Sequence, residues 1–267
     1  MSIENLLDRE TIKSQLDDYC LNVLKSLILL ETIDSTNSYM LMFCDREGRI
    51  PAACFAEEQT HGRGRRGKRW HSPYGQNIYL SIAWDFSRPM ADLGGVSLAI
   101  ALGVVRAVRG LGAENAVVKW PNDVLVHGRK LAGVLIESAK SKGKSRLVIG
   151  IGLNYKMTGV SIDNIQQPWC GICDLLMDSD NTLRSRLAGN LLANCMRVCQ
   201  QYDKNGLGSF QGEWRQHDIC DGRLVRLYNE QIDVCGVVLG LTPQGGLRLN
   251  VEGQERVFYA GDVSLKV

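Results

Sequence analysis

Between residues 116 and 155 the chain carries four apolar β-like runs in close succession: "AVVKW", "DVLVHG", "GVLIESA" and "SRLVIGIGLNY". Turns of only a few residues separate them, the last being a Lys/Gly/Ser turn at 140–145. Antiparallel strands can be joined this tightly, whereas parallel neighbours need a crossover of about a dozen residues or more. The stretch therefore predicts antiparallel pairing and excludes a doubly wound parallel sheet. Upstream, Ser26–Thr32, "PAACFAEEQ" and "NIYLSIAWDF" read as further strands. Helical periodicity marks residues 4–18 and 182–203, and "GGVSLAIALGVVRAVRGLG" reads as a buried helix ending at Gly110 or Gly112. In "DSTNSYMLMFCDREG", Ser35 or Thr36 is placed to cap a helix. The character changes near 216–221: "GRLVRLY", "IDVCGVVLGL", "GLRLNV", "RVFYAG" and "VSLKV" are short strands with tight turns, predicting a small β-barrel or roll. The expected division is residues 1–218 and 219–267.

A chain of 267 residues is long enough for one substantial core with a small appendage. Its formal net charge of +2 is too small for a general polyanion binder, so any strong basic feature is local. The most apolar N-terminal run, "LKSLILLETI", falls short of the about 20 residues that cross a bilayer, and acidic residues precede it. Nine cysteines are an odd number scattered along the chain, which argues against a disulfide framework and for a reduced, cytoplasmic protein.

The local basic feature is "GRGRRGKRW", residues 62–70, with five cationic side chains and three glycines in nine positions. Glycines allow close backbone approach, successive amides can form an anion-binding nest, and Arg63, Arg65, Arg66, Lys68 and Arg69 supply charge. A solvated charge run is the plain alternative. "KWPNDVLV" brackets a turn with Lys119 and Asp123, and "RKLAGVLIES" sets Lys130 just before an apolar strand, with Gly133 leaving room beside it. "VIGIGLN" begins like a dinucleotide fingerprint but has Asn154 at the sixth position and no helix to follow, so it reads as a strand whose glycines let a ligand approach. "PWCGIC" has the Cys-x-x-Cys spacing of redox proteins without their β/α context. With Cys195 and Cys199 it makes a zinc-like set, but that second pair sits on an apolar helix; incidental cysteines are the simpler reading.

Taken together, "IDSTN", "EEQTHGRGRRGKRW", "KWPNDVLV", "KLAGVLIE" and "GIGLN", in this order, resemble the biotin protein ligases, and the likeness extends to the terminal "AGDVSLKV". The resemblance implies an α+β fold: a mixed β-sheet with flanking helices, like that of class II aminoacyl-tRNA synthetases, plus a C-terminal SH3-like β-barrel. It implies joining of biotin to ATP as biotinyl-5′-AMP, Mg²⁺ dependence, and transfer of biotinyl to a lysine of a biotin carboxyl carrier protein of acetyl-CoA carboxylase. Ser35, Thr36, Asn37, Gln59, Gly62 and Arg63 would bind the ureido end, with Trp70 walling the bicycle and Gly133, Gly150 and Gly152 beside the valeryl tail. Lys130 and Arg65 would act on the reacting carboxylate and α-phosphate. Arg66, Asn122, Asp123, Asn154 and Trp169 would join them at the nucleotide, Trp169 as part of a lid over adenine that carries Cys170 and Cys173. Asp123 could position Mg²⁺, or hold Lys119 or the turn. Members of the family can form homodimers by pairing sheet edges. Only 34 residues precede Ser35, too few for three DNA-binding helices and a wing, so regulation through DNA is not expected. The competing readings are a lipoate or octanoate protein ligase, a nucleic-acid-binding module resting on the arginine loop, and a redox or zinc protein resting on the cysteines.

Overall fold

Apolar strands, the central ones buried along almost their whole length, build a single seven-stranded sheet in the computed structural model, which describes residues 6–44, 48–157, 167–176, 180, 182–229, 232–259 and 264–266. The strands are β1 (Ser26–Ile33), β2 (Ala52–Gln59), β3 (Ile78–Phe86), β4 (Ala116–Lys119), β5 (Asp123–Val126), β6 (Arg129–Ala139) and β7 (Ser145–Leu153), in the order β1-β2-β3-β7-β6-β5-β4. The tightly turned strands pair antiparallel as expected. The sheet is mixed because β1 and β2 run parallel. The residues between them contain helix α3 (Thr36–Phe43), the crossover that a parallel pair needs.

The two faces of the sheet are used differently. Ile149, Ile151 and Leu153 of β7 enter the main core, where helices α4 (Val96–Arg109) and α5 (Leu183–Asn205) cover the sheet. Alternate residues turn to the other face, where Val148 packs with Met40 and Phe43 of α3. Gly150 and Gly152 share the face of Val148. "VIGIGLN" is thus a strand with a full apolar face and a face almost without side chains, and the bare face is the floor of the site.

Residues 4–18 were expected to form one helix. Residues 4 and 5 lie outside the described residues; within the rest only α1 (Arg9–Ser14) is helical, and a second helix, α2 (Asp18–Val23), begins where the expected one ends. The reason is capping: Asp8 accepts from the Thr11 amide, and Asp17 accepts from the Cys20 amide at 2.8 Å, starting a second helix. Residues 90–109 are apolar and long enough to cross a membrane by composition, but they are mostly buried inside the protein and α4 is a core helix. After α6 (Gln211–His217) come β8 (Leu224–Tyr228), β9 (Asp233–Leu241), β10 (Leu247–Val251), β11 (Gln254–Phe258) and β12 (Ser264–Lys266). They form the expected small antiparallel SH3-like unit, in the order β11-β10-β9-β8-β12. Of the "AGDVSLKV" end, residues 260–263 and 267 lie outside the described residues. The small sheet docks on the large one: Trp120 Nε1 donates to the Gly245 carbonyl at 3.2 Å, and the Ile219 amide to that of Val118 at 3.0 Å.

Candidate active site

The start of α3 is buried against the bare floor. Ser35 caps the helix, accepting from the Ser38 amide. Both the amide and the hydroxyl of Thr36 donate to Gln59 Oε1, at 2.9 and 3.0 Å. Asn37 Oδ1 lies 2.5 Å from Ser81 Oγ, which is also 2.8 Å from Thr36 Oγ1, and Asn37 Nδ2 donates to Glu137 at 2.9 Å. Gln59 Nε2 reaches Ser72 Oγ at 2.9 Å, and that hydroxyl lies 3.2 Å from the Trp70 carbonyl. A Cβ on Gly150 would lie 2.9 Å from Asn37 Cγ, so only glycine lets α3 come this close to β7. These groups make a buried rim of alternating donors and acceptors, the chemistry a cyclic urea requires.

The basic segment folds into a closed turn. The Trp70 amide donates to the Gly62 carbonyl at 2.9 Å, the Gly64 amide to that of Lys68 at 2.7 Å, and Arg63 bridges to Arg69. The bend passes through left-handed backbone at Arg66 (φ 57°) and Gly67 (φ 69°). Gly62 is required for contact rather than for bending, since a Cβ there would stand 2.5 Å from Ser72 Oγ. The turn roofs a cavity of about 510 Å³ lined by residues 60–69 with Leu135 and Glu137. Arg63 forms an ion pair with Glu137. Arg65 Nη1 donates to Asn122 Oδ1 at 3.3 Å, and burial, then the charge of Arg66, pushes its guanidinium pKa down, which marks a cation held where an anion would be welcome.

The strand glycines were expected to make room for a ligand tail. Gly133 and Gly152 do make room, and the Trp70 indole fills it: a Cβ on Gly152 would lie 2.5 Å from Trp70 Nε1, and one on Gly133 would lie 3.3 Å from the ring. That Nε1 is buried without a hydrogen-bond partner. Lys130 Nζ lies 5.4 Å from the Trp70 ring centroid and pairs with Asp123 at 2.8 Å. Of the roles left open for Asp123, pairing with Lys119 is therefore replaced by pairing with Lys130. Asp123 sits directly opposite Lys119 on β4 and opposite Gly133 on β6, so register alone favours Lys119; the preference for Lys130 is made by the side chains, not by strand pairing. Among the described residues no group of three or more His, Cys, Asp or Glu is set to hold a metal ion.

Asn122 Nδ2 donates to the Val134 carbonyl at 2.8 Å. Asn154 is buried, and its Nδ2 lies 3.2 Å from the Lys130 carbonyl, so it braces the Lys130 main chain. "PWCGIC" runs beside the same residue: the Lys130 amide donates to Pro168, and the Cys170 amide to Lys130, which brings Trp169 alongside Lys130. Cys170 is buried, and desolvation raises both the Cys170 and Cys173 thiols, the opposite of a reactive redox pair. All the residues expected at the site therefore converge on one face of β6 and β7 and on the loops at their end. Glu137, Ser81 and Ser72 join them and were not foreseen. Glu137 carried a usable signal, being a carboxylate two and four residues from Leu135 and Gly133 on the bare face; the serines carried none.

A sequence profile described as the biotin/lipoate A/B protein ligase family matches residues 29–154. Over 264 residues the chain is 36% identical to the bifunctional ligase/repressor BirA of Salmonella typhimurium, covering 98% of this chain and 79% of that protein. It is 31% identical over 273 residues to the biotin–[acetyl-CoA-carboxylase] ligase of Mycobacterium tuberculosis, covering 97% and 98%. Its structure matches the biotin protein ligase from Aquifex aeolicus, solved in complex with biotin and ATP, with a TM-score of 0.77, 26% identity, and coverage of 91% of this chain and 99% of that one. Relatives above 30% identity along almost the whole chain, and a solved fold that superposes over nine tenths of it, establish that the chain belongs to the biotin/lipoate A/B protein ligase family and, within it, to the biotin protein ligases.

Proposed function

We propose that the protein is an ATP-dependent biotin protein ligase, and that the convergence of Lys130, the arginine turn and the Thr36–Asn37–Gln59 rim on one bare sheet face is the observation that carries this reading. In the first step an oxygen of the biotin carboxylate attacks the α-phosphorus of ATP. A new P–O bond forms, the α–β bridge breaks, and pyrophosphate leaves. Two anions must approach, so fixed cations are needed where their charge concentrates. Lys130 would hold the carboxylate and α-phosphate oxygens, exchanging Asp123 for them, and Arg65 would contact the phosphates from above. Thr36, Asn37, Gln59 and the loop backbone at Gly62 and Arg63 would hold the ureido ring, with Ser35 setting the helix start. The valeryl tail would lie along the Trp70 indole, which rests on Gly133 and Gly152, while Gly150 seats Asn37. Arg66, Asn122, Asn154 and Trp169 would frame the nucleotide. In the second step the carrier lysine amine attacks the acyl carbon, AMP leaves, and the amine loses a proton to give the amide. The closed turn shields the mixed anhydride from water between the steps.

Mg²⁺ fits as a companion of ATP, because it keeps most of its waters and takes phosphate oxygens plus one or two carboxylates. Asp123 would be its protein contact, at the expense of the Lys130 pair, and Mg²⁺ would neutralise the departing pyrophosphate. The acceptor is the biotin carboxyl carrier protein of acetyl-CoA carboxylase, a reading supported by the name of the Mycobacterium tuberculosis relative. We place the enzyme in the cytoplasm and divide it at 218/219 into a catalytic and a barrel domain. Homodimerisation would use the edge strand β1. The test is biotin-dependent release of pyrophosphate from ATP, with mass detection of biotinyl-5′-AMP. Release driven by lipoate and not by biotin would overturn the reading.

A further inference from the structure

We propose that Glu137 is a positioning residue that clamps the arginine turn to the ring pocket and fixes the orientation of Asn37. For its effect on biotin, this rests on the ligase reading. On β6 the side chains of Val134 and Ile136 enter the main core, so Gly133, Leu135 and Glu137 share the bare face. A partly buried carboxylate on a strand face is costly unless partnered. Glu137 has two partners from separate elements, and both meet Oε2: Asn37 Nδ2 from the start of α3, and Arg63 Nη2 from the turn.

An ionised carboxylate only accepts hydrogen bonds, so the Asn37 amide must present its NH₂ to Glu137 and its oxygen to Ser81. Ser81 then spends its single proton on Asn37, so the 2.8 Å contact between Ser81 and Thr36 takes its proton from the Thr36 hydroxyl, which also lies 3.0 Å from Gln59 Oε1. Glu137 therefore sets donor and acceptor directions around the rim without facing the ring itself. It also ties down the first limb of the turn through Arg63. The second limb is held independently, through the Trp70 carbonyl, Ser72 and Gln59. Two anchors, one charged and one neutral, keep the turn closed.

The two functions can be separated by trypsin, because the turn carries cleavable sites at Arg65, Arg66, Lys68 and Arg69 besides Arg63. In the ligand-free protein, Glu137→Gln is expected to speed cleavage of the turn about fivefold, a half-exposed ion pair being lost. Cleavage at the Lys140–Lys144 hairpin should stay at the parent rate. Glu137→Asp, which keeps the charge, should lie between. Arg63→Ala should speed cleavage at the remaining sites to the same degree, and combining it with Glu137→Gln should add nothing further. In biotin-dependent pyrophosphate release, Glu137→Gln should raise the biotin KM about fivefold while kcat and the ATP KM stay within about twofold of the parent.

Parent-rate cleavage of the turn in Glu137→Gln would overturn the clamp. So would equal acceleration at the turn and the hairpin, which would mean general loosening. A fall in kcat with an unchanged biotin KM would overturn the positioning role. If the parent shows no biotin turnover, the ligase reading fails, and the proteolysis still decides the clamp. If Glu137→Gln does not fold, Glu137→Asp and Arg63→Ala decide it by the same cleavage rates.

Discussion

Replacing Gly152 by alanine puts a methyl group where the Trp70 indole now rests. The added Cβ would press hardest on Trp70 Cε2 and stand 2.5 Å from Nε1, and ordinary contact begins at 3.4 Å, so the ring must retreat by about 1.1 Å. Overfilling a packed contact of this kind costs about 1–3 kcal/mol. Where that cost falls depends on what can move. Gly152 is held on both sides, by Tyr79 of β3 and Gly133 of β6, while Trp70 belongs to the turn. The turn gives way, so the loss appears in binding more than in folding. The expected result is a biotin KM raised about tenfold, equal to about 1.4 kcal/mol. The fall in Tm should be no more than about 4 °C. The assays are biotin-dependent pyrophosphate release and thermal unfolding. Gly212→Ala is the control, because its Cβ meets nothing within 4 Å and it sits in α6, where alanine is favoured. Trp70→Ala should make the Gly152 substitution nearly silent, since the clash is then gone. Additive effects of the two substitutions, or an unchanged biotin KM, would refute the placement of the indole on the strand.

Further outcomes are open to the same assays. Lys130→Ala should lower pyrophosphate release at least about a hundredfold, while transfer from added biotinyl-5′-AMP falls less; equal losses in the two steps would remove Lys130 from the first. Cys170→Ser and Cys173→Ser should keep activity within about twofold, since both thiols are raised by burial and neither is poised as a thiolate; a loss of about tenfold or more would restore a cysteine role. Asp218 lies half-buried beside Trp214 at the seam between the sheets, and desolvation raises its carboxyl pKa. Its contribution to stability is therefore full below the ordinary carboxylate range and is lost as pH rises through the raised value. Asp218→Asn should flatten that part of the stability–pH curve, and an unchanged slope would contradict the assignment.

Most of the fold could be read from residue order, because its strands are short, strongly apolar and separated by tight turns. The parallel β1–β2 pair was less visible, since the sequence marks the α3 crossover but not which strands it joins. The end of α1 at Ser14 was missed because Leu16 keeps the apolar spacing of Leu6, Leu7 and Ile12 past it, and the start of α2 is marked only by the capping carboxylate of Asp17. At the site, glycines and arginines announced themselves by composition. What they touch did not. That Gly150 admits Asn37 and that Gly152 admits Trp70 depend on elements brought together from far along the chain, and that Asp123 takes Lys130 rather than Lys119, its direct cross-strand neighbour, is decided by side-chain packing. Glu137 stands near the end of β6, and its partners on α3 and the turn are set by the fold.

The most direct measurement is the intact mass of a biotin carboxyl carrier domain after incubation with the protein, ATP, Mg²⁺ and either biotin or lipoate. The expected result is an increase of one biotinyl group that requires ATP and is lost when the acceptor lysine is replaced, with no increase from lipoate. No biotinyl increase, or an increase from lipoate alone, would contradict the ligase assignment.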